Sequence, residues 1–458
     1  MKFIVCGAGQ VGFNIARYLA NGDNDITIVE QSPTLAQEIS DTLDVRAFVG
    51  FASHPDVLQR AGCADADMII AVTQADEVNM MACQVAHSLF NVPTKIARVR
   101  HQSYLDPIWA DLFSRDNMPI DVIISPEIEV ARAINRGLHV PGAFDTITLV
   151  DGLVRVVGVR CSESCPIINT PLRQLTVLFP NLRIVVVAII REDRPIVPSS
   201  DDQMLPGDDV YFVVDNSHLR RALSAFGHEE PEARRIIIVG GGNIGMFVAR
   251  QIEREDSGVN AMLIEIDEAQ ARIAAQELRH TVVLNGDALD PDILKEANVD
   301  VAETVVAVTN DDEVNILASL LAKRHGCKRA VTLINKTTYD SLIPTLGIDA
   351  VVSPRSITVS TILQHVRRGR IRSVHSLREG FAEILEVDAL ETSGILNKPI
   401  SEINLPSGVI LGAVVRGDEV IIPRPDTRIL ANDRVVLLAT TAAVKTVEKM
   451  FSVRLEFF

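Results

Sequence analysis

The sequence predicts an α/β fold written twice in one chain: two doubly wound parallel-sheet domains, each followed by a small α+β domain. Three observations carry the prediction. The opening MKFIVCGAGQVGFNIARYL returns as RRIIIVGGGNIGMFVARQI, with Gly7, Gly9 and Gly12 superimposed on Gly240, Gly242 and Gly245. In each half, short β-branched runs alternate with helix-length segments, the pattern that builds βαβ units. Beyond each alternating stretch the helices give way to short strands punctuated by proline and glycine.

In the first half the strands read FIVC, ITIV, RAFV, MIIAV and KIARV, with a helical segment between each pair. The second half follows in register. ITIVEQ matches AMLIEI, FVGFASHPDVLQRAG matches LNGDALDPDILKEAN, and MIIAVTQADEVNMMA matches TVVAVTNDDEVNILA, so that Thr73, Asp76, Glu77 and Asn79 fall on Thr309, Asp312, Glu313 and Asn315. DVIISPE matches DAVVSPR. The offset drifts from 233 to 236 and back to 228, as loop insertions produce after a duplication. The smaller domains also repeat: TPLRQL with KPISEI, VAIIREDRPIVP with AVVRGDEVIIP, and LPGDDVYFVV with LANDRVVLLA. Domains are expected at 1–140, 141–226, 232–372 and 373–458, with the charged joint GHEEPEARR at 227–235.

Composition narrows the function. At 47% apolar and 23% charged residues, 458 residues form several globular cores rather than a disordered chain. The longest apolar run, Ile184 to Ile190, falls far short of the ~18 residues a bilayer crossing needs. No signal peptide is read, because the apolar Phe3–Cys6 runs straight into the glycine turn, so the chain is expected in the cytoplasm. A net charge of −16 argues against a nucleic-acid partner, which would demand clustered cations. One basic stretch, HVRRGRIRSVHSLREG at 365–380, carries Arg367, Arg368, Arg370 and Arg372. A solvated connector is its favoured reading over a surface for a membrane partner. Six scattered cysteines, of which only Cys161 and Cys165 are close, read as reduced thiols.

The glycines carry the chemistry. In GAGQVG, Gly7 allows the turn out of the strand, Gly9 lets backbone amides approach a pyrophosphate, and Gly12 lets the helix pack close to the sheet. The helix start, with Gln10 and Val11, or Asn243 and Ile244 in the second copy, offers amides to phosphate. An acid closes the next strand in both copies: Glu30 lies 18 residues after Gly12 and Glu265 lies 20 after Gly245, where a carboxylate binds ribose hydroxyls and repels a 2′-phosphate. NAD(H) is therefore favoured over NADP(H), and ATP or ADP fits the same half-site.

Gly50 and Ser53, with Gly286 and Asp287, lie after the third strand, either beside the adenosine or in a helix-entry turn. Thr73 and Thr309 end the fourth strand, where ligands collect. Asp76 and Asp312 are expected to cap helices. Arg98 and Arg100 leave the fifth strand with phosphate-binding chemistry, where the second half has Leu333 and Asn335, so the two sites are expected to be unequal.

A dehydrogenase also needs an acid or base beside the nicotinamide. No tyrosine is followed four residues later by lysine, no histidine recurs in both halves, and no metalloprotease, nucleophile-elbow or P-loop motif occurs. An NAD-dependent oxidoreductase of fused type remains the alternative, and a structural hub a third reading. A sensor is favoured because the small domains stay alike.

The tandem arrangement resembles a known family. Two units, each with GxGxxG, AVTxxDExN and an SPE or SPR turn, followed by a small domain with a PLxxL or PIxxI element and a GD or ND turn, are similar over essentially the whole chain to the TrkA family of bacterial Trk potassium-uptake systems. GFASHP, IARVR, VGGGNIG, HVRRGRIRSVHSLREG and LGAVVRG add to the likeness. The resemblance implies two RCK (regulator of K+ conductance) units in a non-catalytic subunit on the inner face of the cell membrane. It implies a membrane potassium-translocating partner gated through an RCK ring by bound NAD(H) or ATP/ADP, and a homotetramer. Carried onto this chain, the nucleotide residues are Gly7, Gly9, Gln10, Val11, Gly12, Glu30, Thr73, Arg98 and Arg100, then Gly240, Gly242, Asn243, Ile244, Gly245, Glu265, Asp287 and Thr309. Phe51 departs from the pattern where the second half has Asp287.

Overall fold

The computed structural model describes the chain except residues 21–23, 180–181, 256–257, 340–341, 367–370, 378–379 and 452–458. It holds four sheets in sequence. The first is built from β1 (Lys2–Cys6), β2 (Asp25–Glu30), β3 (Arg46–Val49), β4 (Met68–Ala71), β5 (Thr94–Arg98) and β6 (Val122–Ile124). Its order is 3-2-1-4-5-6 and its described pairings are all parallel, so it is a doubly wound sheet whose strand order reverses beside β1. The helices are α1 (Gln10–Ala20), α2 (Pro33–Thr42), α3 (Pro55–Arg60), α4 (Asp76–Phe90) and α5 (Pro126–Leu138).

The next sheet is antiparallel, with β7 (Ala143–Leu149), β8 (Val154–Arg160), β9 (Ile184–Arg191), β10 (Arg194–Ile196) and β11 (Asp209–Asp215), accompanied by α6 (Leu172–Leu178) and α7 (Leu219–Ala225). The pattern then repeats. β12 (Arg235–Val239), β13 (Asn260–Glu265), β14 (Val282–Asn285), β15 (Thr304–Ala307), β16 (Arg329–Leu333) and β17 (Ala350–Val352) form the second parallel sheet in the same order as the first. Its helices are α8 (Asn243–Glu255), α9 (Glu268–Glu277), α10 (Pro291–Glu296), α11 (Asp312–Arg324) and α12 (Ile343–Leu346), and α13 (Pro354–Val366) follows β17 in the chain. A second antiparallel sheet of β18 (Ile371–Leu377), β19 (Ala382–Asp388), β20 (Val409–Arg416), β21 (Glu419–Ile421) and β22 (Arg434–Thr440) precedes α14 (Val444–Phe451).

The sixth strand of each parallel sheet was not among the strands read from sequence. Its three residues sit in DVIISPE and DAVVSPR, which read as the lead into a turn, and only pairing with β5 or β16 makes them strands.

The chain divides into two compact units. The first comprises residues 1–129 and 354–365, the second residues 130–353 and 366–458. The first unit's core lies between β1, β4, α3 and α4 and includes Ile4, Leu58, Ile69 and the buried thiols of Cys6, Cys63 and Cys83.

In the second unit the two antiparallel sheets face each other. Val154, Val156, Val187 and Val213 share one cluster with Ile384, Ala413, Val436 and Leu438. A side chain at Gly412 would come within 2.5 Å of Val213, so the sheets meet closely there. Polar contacts extend the pairing: the Val150 amide donates to Glu386 at 3.0 Å and Arg434 to Asp151 at 2.6 Å. Each antiparallel sheet also repeats an ion pair to a buried aspartate at its GD or ND turn, half-exposed Arg191 with Asp208 and half-exposed Arg416 with Asp433. These carboxylates also accept the amides of Leu205 and Leu430, which satisfies charges that burial would otherwise penalise. Arg329 on β16 donates to the carbonyls of Gly137 and Ala143, joining the end of α5 to the second parallel sheet within the same unit.

Candidate functional site

The two glycine loops lie where strand order reverses, the position at which doubly wound sheets collect ligands. Their glycines are needed for different reasons. Gly7 and Gly240 have φ of +104° and +102°, a region L side chains rarely enter. A Cβ at Gly12 would lie 1.8 Å from the Gly7 carbonyl oxygen, and one at Gly245 1.9 Å from that of Gly240, so these helix turns can pass the loop only as glycine. Gly9 and Gly242 are unlike both: neither has a positive φ, and an added Cβ would meet nothing within 4 Å. Folding does not require glycine there.

What faces that space is a set of amides. The Phe13 amide donates to Gly9 and the Met246 amide to Gly242, each the first i to i−4 bond of its helix. The preceding amides, on Gln10, Val11 and Gly12 and on Asn243, Ile244 and Gly245, therefore have no acceptor within the helix and stand at its positive end.

Glu30 and Glu265 close β2 and β13 and are held identically. Glu30 accepts the Ala8 amide of the glycine loop at 2.7 Å and the Ser32 amide at 2.9 Å, while Glu265 accepts those of Gly241 at 2.6 Å and Asp267 at 2.8 Å. Each carboxylate oxygen takes one amide and keeps a lone pair, which suits hydroxyl donors. The loop after the third strand is tied to the same point, Gly50 N donating to Glu30 O and Gly286 N to Glu265 O. Both positions are tight: a Cβ would sit 2.8 Å from the Val57 side chain or 2.5 Å from that of Ile293 on the following helix, which would have to shift.

The AVTxxDExN segment forms a buried brace. Asn79, fully buried, accepts the Thr73 amide and hydroxyl and donates to the carbonyls of Thr73 and Arg98; Asn315 does the same with Thr309 and Leu333. The asparagine thus ties the ends of the fourth and fifth strands together. Sequence reading quoted it as a repeat and missed this work, whose partners lie 19 and 18 residues away. Thr73 and Thr309 lie against Gly7 and Gly240, within 3.2 Å and 3.0 Å of a Cβ built there, which fixes the floor of each loop.

The expected capping role of Asp76 and Asp312 is not what the structure shows. The residue before α4 is Ala75 and makes no side-chain cap, and α11 is capped by Asp311 through the Val314 amide. Asp76 instead accepts the Arg100 and His101 amides, and Asp312 those of Asn335 and Lys336. At the first helical position a carboxylate points along the helix axis toward the neighbouring loop, and that loop supplies its donors.

Beyond these shared features the halves diverge. Arg98, at the end of β5, is half-buried and its Nε has no partner among the described residues; burial, with Arg100 nearby, lowers its basicity. Asp76 Oδ1, Ser125 Oγ and Glu127 Oε2 are also buried without partners among the described residues, and burial holds the Glu127 carboxyl above its ordinary range. Arg100 donates to the Gln74 carbonyl. In the second half Leu333 replaces Arg98 in the core, and Asn335 Nδ2 donates to Asp312 Oδ1 at 3.0 Å. Gln270 from α9 further donates to the Gly241 carbonyl at 2.6 Å. The first cleft therefore keeps unsatisfied polar atoms beside a cation, whereas the second supplies partners for its aspartate.

Asp287 is exposed in its loop and accepts the Leu289 amide. Of the basic stretch, Arg367, Arg368 and Arg370 lie outside the described residues, and Arg372 pairs with Asp388 at 2.7 Å. Among the described residues no helix is long and apolar enough to cross a membrane.

Comparison with known proteins follows the same division. The TrkA-N domain family matches residues 3–126 and 236–354, and the TrkA-C domain family residues 156–227 and 384–452. The chain is 53% identical over 458 residues to the Trk system potassium uptake protein TrkA of Azorhizobium caulinodans, covering all of both chains. It is 42% identical over 462 residues to that of Halomonas elongata, again covering all of both. Among solved structures, the GsuK RCK domain superposes with a TM-score of 0.60 at 21% identity over 98% of this chain and 94% of that one. The GsuK channel bound to NAD superposes with a TM-score of 0.58 at 21% identity over 98% and 78%. At that identity these likenesses bear on the fold. With both domain families matched twice in alternation and full-length relatives at this identity, the chain belongs to the TrkA family of Trk-system potassium uptake proteins.

Proposed function

We propose that this chain is the nucleotide-sensing regulatory subunit of a Trk potassium-uptake system, binding NAD(H) in its glycine-loop clefts and ATP or ADP as well in the first. The observation that carries the reading is the pair Gly9 and Gly242, whose missing side chains no packing or backbone demand explains. The exposed amides of Gln10 and Asn243 and their neighbours would hold a pyrophosphate, and Glu30 and Glu265 the ribose hydroxyls. Arg98 and Arg100 favour a more highly charged phosphate chain in the first cleft. The names of the relatives support a role in potassium uptake, and the GsuK channel bound to NAD, a neighbour in fold, supports NAD as a ligand.

In this reading the subunit resides in the cytoplasm and attaches to a membrane potassium-translocating partner as a homotetrameric ring of RCK units. A nucleotide shifts that ring only through unequal affinity for its two arrangements, and the partner's gating is linked to that shift. No residue is assigned a catalytic role. Calorimetry with NADH, NAD and ATP on the wild type, Gly9→Asp and Gly242→Asp chains tests the reading, together with potassium flux through the reconstituted partner. Site-by-site loss of binding without turnover, and flux that follows nucleotide, is the expected result. Absence of binding defeats the proposal, and NADH oxidation with an added substrate favours a fused oxidoreductase.

A further inference from the structure

Cys161 and Cys165 flank a turn that the chain builds twice. In the first antiparallel sheet β8 ends at Arg160, the Cys161 amide donates to the Asp208 carbonyl, the Cys161 carbonyl accepts the Gly207 amide, and the Cys165 amide closes the turn on the Ser162 carbonyl. The second sheet repeats each of these bonds with Ala389 in place of Cys161 and Ser393 in place of Cys165: Ala389 donates to Asp433, Asn432 to Ala389, and Ser393 to Leu390. Even the side-chain bond recurs, Cys165 Sγ reaching the Ala225 carbonyl at 3.8 Å where Ser393 Oγ reaches that of Phe451 at 3.5 Å. The turn therefore forms without sulfur. What the first copy adds is a pair of thiols in contact, that of Cys161 donating to Cys165.

We infer that Cys161 and Cys165 are a redox-active dithiol, which hydrogen peroxide converts to a disulfide and a dithiol reductant restores. Cys165 is the attacking group. The Cys161 thiol, and after it the amides of Ile167 and Ile168, stabilise its thiolate and bring its pKa from 9.0 to about 7 against the opposing effect of burial. The same contact pushes Cys161 up, so it keeps its proton. The thiols of Cys6, Cys63, Cys83 and Cys327 are instead all raised by burial. The Cys165 thiolate attacks one peroxide oxygen: an S–O bond forms, the O–O bond breaks, and hydroxide leaves and takes up the proton that Cys165 had released. Cys161 sulfur then attacks Cys165 sulfur; the S–S bond forms, the S–O bond breaks, and the departing hydroxide leaves as water with the Cys161 proton. Two thiols and one peroxide give one disulfide and two waters, each sulfur losing one electron and each peroxide oxygen gaining one. Burial selects the oxidant. The cysteines are 1% and 3% exposed, while the three residues between them, Ser162, Glu163 and Ser164, are exposed. A single exposed turn is among the least costly parts of a fold to open, and a brief opening admits a molecule the size of water more readily than a bulky disulfide.

One peptide reads the outcome. Trypsin cuts after Arg160 and Arg173, so residues 161–173 carry both cysteines. When the reduced full-length chain is treated with hydrogen peroxide, quenched in acid and alkylated, this peptide should lose the mass of two hydrogen atoms at least about tenfold faster than any of the other four cysteines is modified, as its larger thiolate fraction dictates. Dithiothreitol should restore both thiols. In Cys161→Ala the reaction should stop at a Cys165 sulfenic acid that dimedone traps, and in Cys165→Ser the Cys161 thiol should stay unmodified over the same interval. Both variants should unfold at the wild-type urea concentration, because the second half already builds this turn with alanine and serine. Three results overturn the inference: a peptide that keeps both thiols under peroxide that oxidises free cysteine, one that reaches sulfinic acid without passing through the disulfide, and a Cys165→Ser chain whose Cys161 is oxidised as fast as the wild-type pair.

Discussion

Gly9→Asp should separate binding from folding more cleanly than any other change. Gly9 precedes the first residue of α1 and its carbonyl accepts the first helical hydrogen bond, so it occupies the N-cap position. Aspartate is among the best residues there, better than glycine by a few tenths of a kcal/mol. Its charge at the positive helix end adds roughly 0.3–1 kcal/mol. The space around a Cβ at Gly9 is open to 4 Å, so no steric term offsets these gains. The variant should therefore fold with unchanged or slightly raised stability. Its carboxylate, however, would stand where a phosphate must sit. Two unit charges about 4 Å apart at an effective dielectric near 20 repel by about 4 kcal/mol, roughly a thousandfold in affinity. Urea unfolding midpoints and calorimetry with ATP provide the two readouts. Gly12→Ala is the contrast: its Cβ would lie 1.8 Å from the Gly7 oxygen, which demands a shift of helix against strand worth at least about 3 kcal/mol. If Gly9→Asp unfolds as readily as Gly12→Ala, or still binds ATP at the first site, the division of labour among the three glycines is wrong.

Other outcomes follow from the same geometry. Asn79→Ala should destabilise the first unit by about 3 kcal/mol, because it strands buried donors and acceptors of Thr73 and Arg98, and Asn315→Ala should do likewise in the second; chemical unfolding reads both. Arg98→Met should leave stability equal or higher while weakening ATP more than NADH, since it removes a half-buried cation whose buried Nε has no partner among the described residues; calorimetry and thermal unfolding together check this. Burial, with Arg136 nearby, depresses the pKa of His375 from 6.5 to about 4, so its share of stability is full above pH 6.5 and is lost as pH falls toward 4. That share is of order 3 kcal/mol, and His375→Gln should flatten this acid limb in a pH series of unfolding midpoints. Arg329→Met should cost about 2–3 kcal/mol by leaving the carbonyls of Gly137 and Ala143 without their donor, and exchange protection around α5 should fall with it.

Local rules made much of this molecule readable. The glycine loops, the five principal strands of each parallel sheet and the acids at Glu30 and Glu265 all follow from short-range pattern and spacing, because each depends on residues within one βαβ unit. What escaped depended on pairing across the sheet. The sixth strand is too short to declare itself without β5 beside it. Asp76 looked like a cap because capping is the local use of an aspartate at a helix start; its real partners arrive from the loop after β5, 24 and 25 residues on. Asn79 was visible as a repeated letter, but its purpose appears only when the ends of β4 and β5 are adjacent. The packing of one antiparallel sheet on the other had no signature, since any apolar sheet face asks for a cover without naming it.

That covered face has a genetic consequence. Sheets that meet this way in a symmetric dimer would be encoded once, and every substitution would appear on both sides of the seam. Here each side has its own stretch of sequence, and the intervening chain keeps the two at an effective concentration of order millimolar, whatever the expression level. Either half can change one residue while the other retains it. Arg98 with Leu333, and Phe51 with Asp287, are divergences that a protein encoded once could not hold within a single assembly.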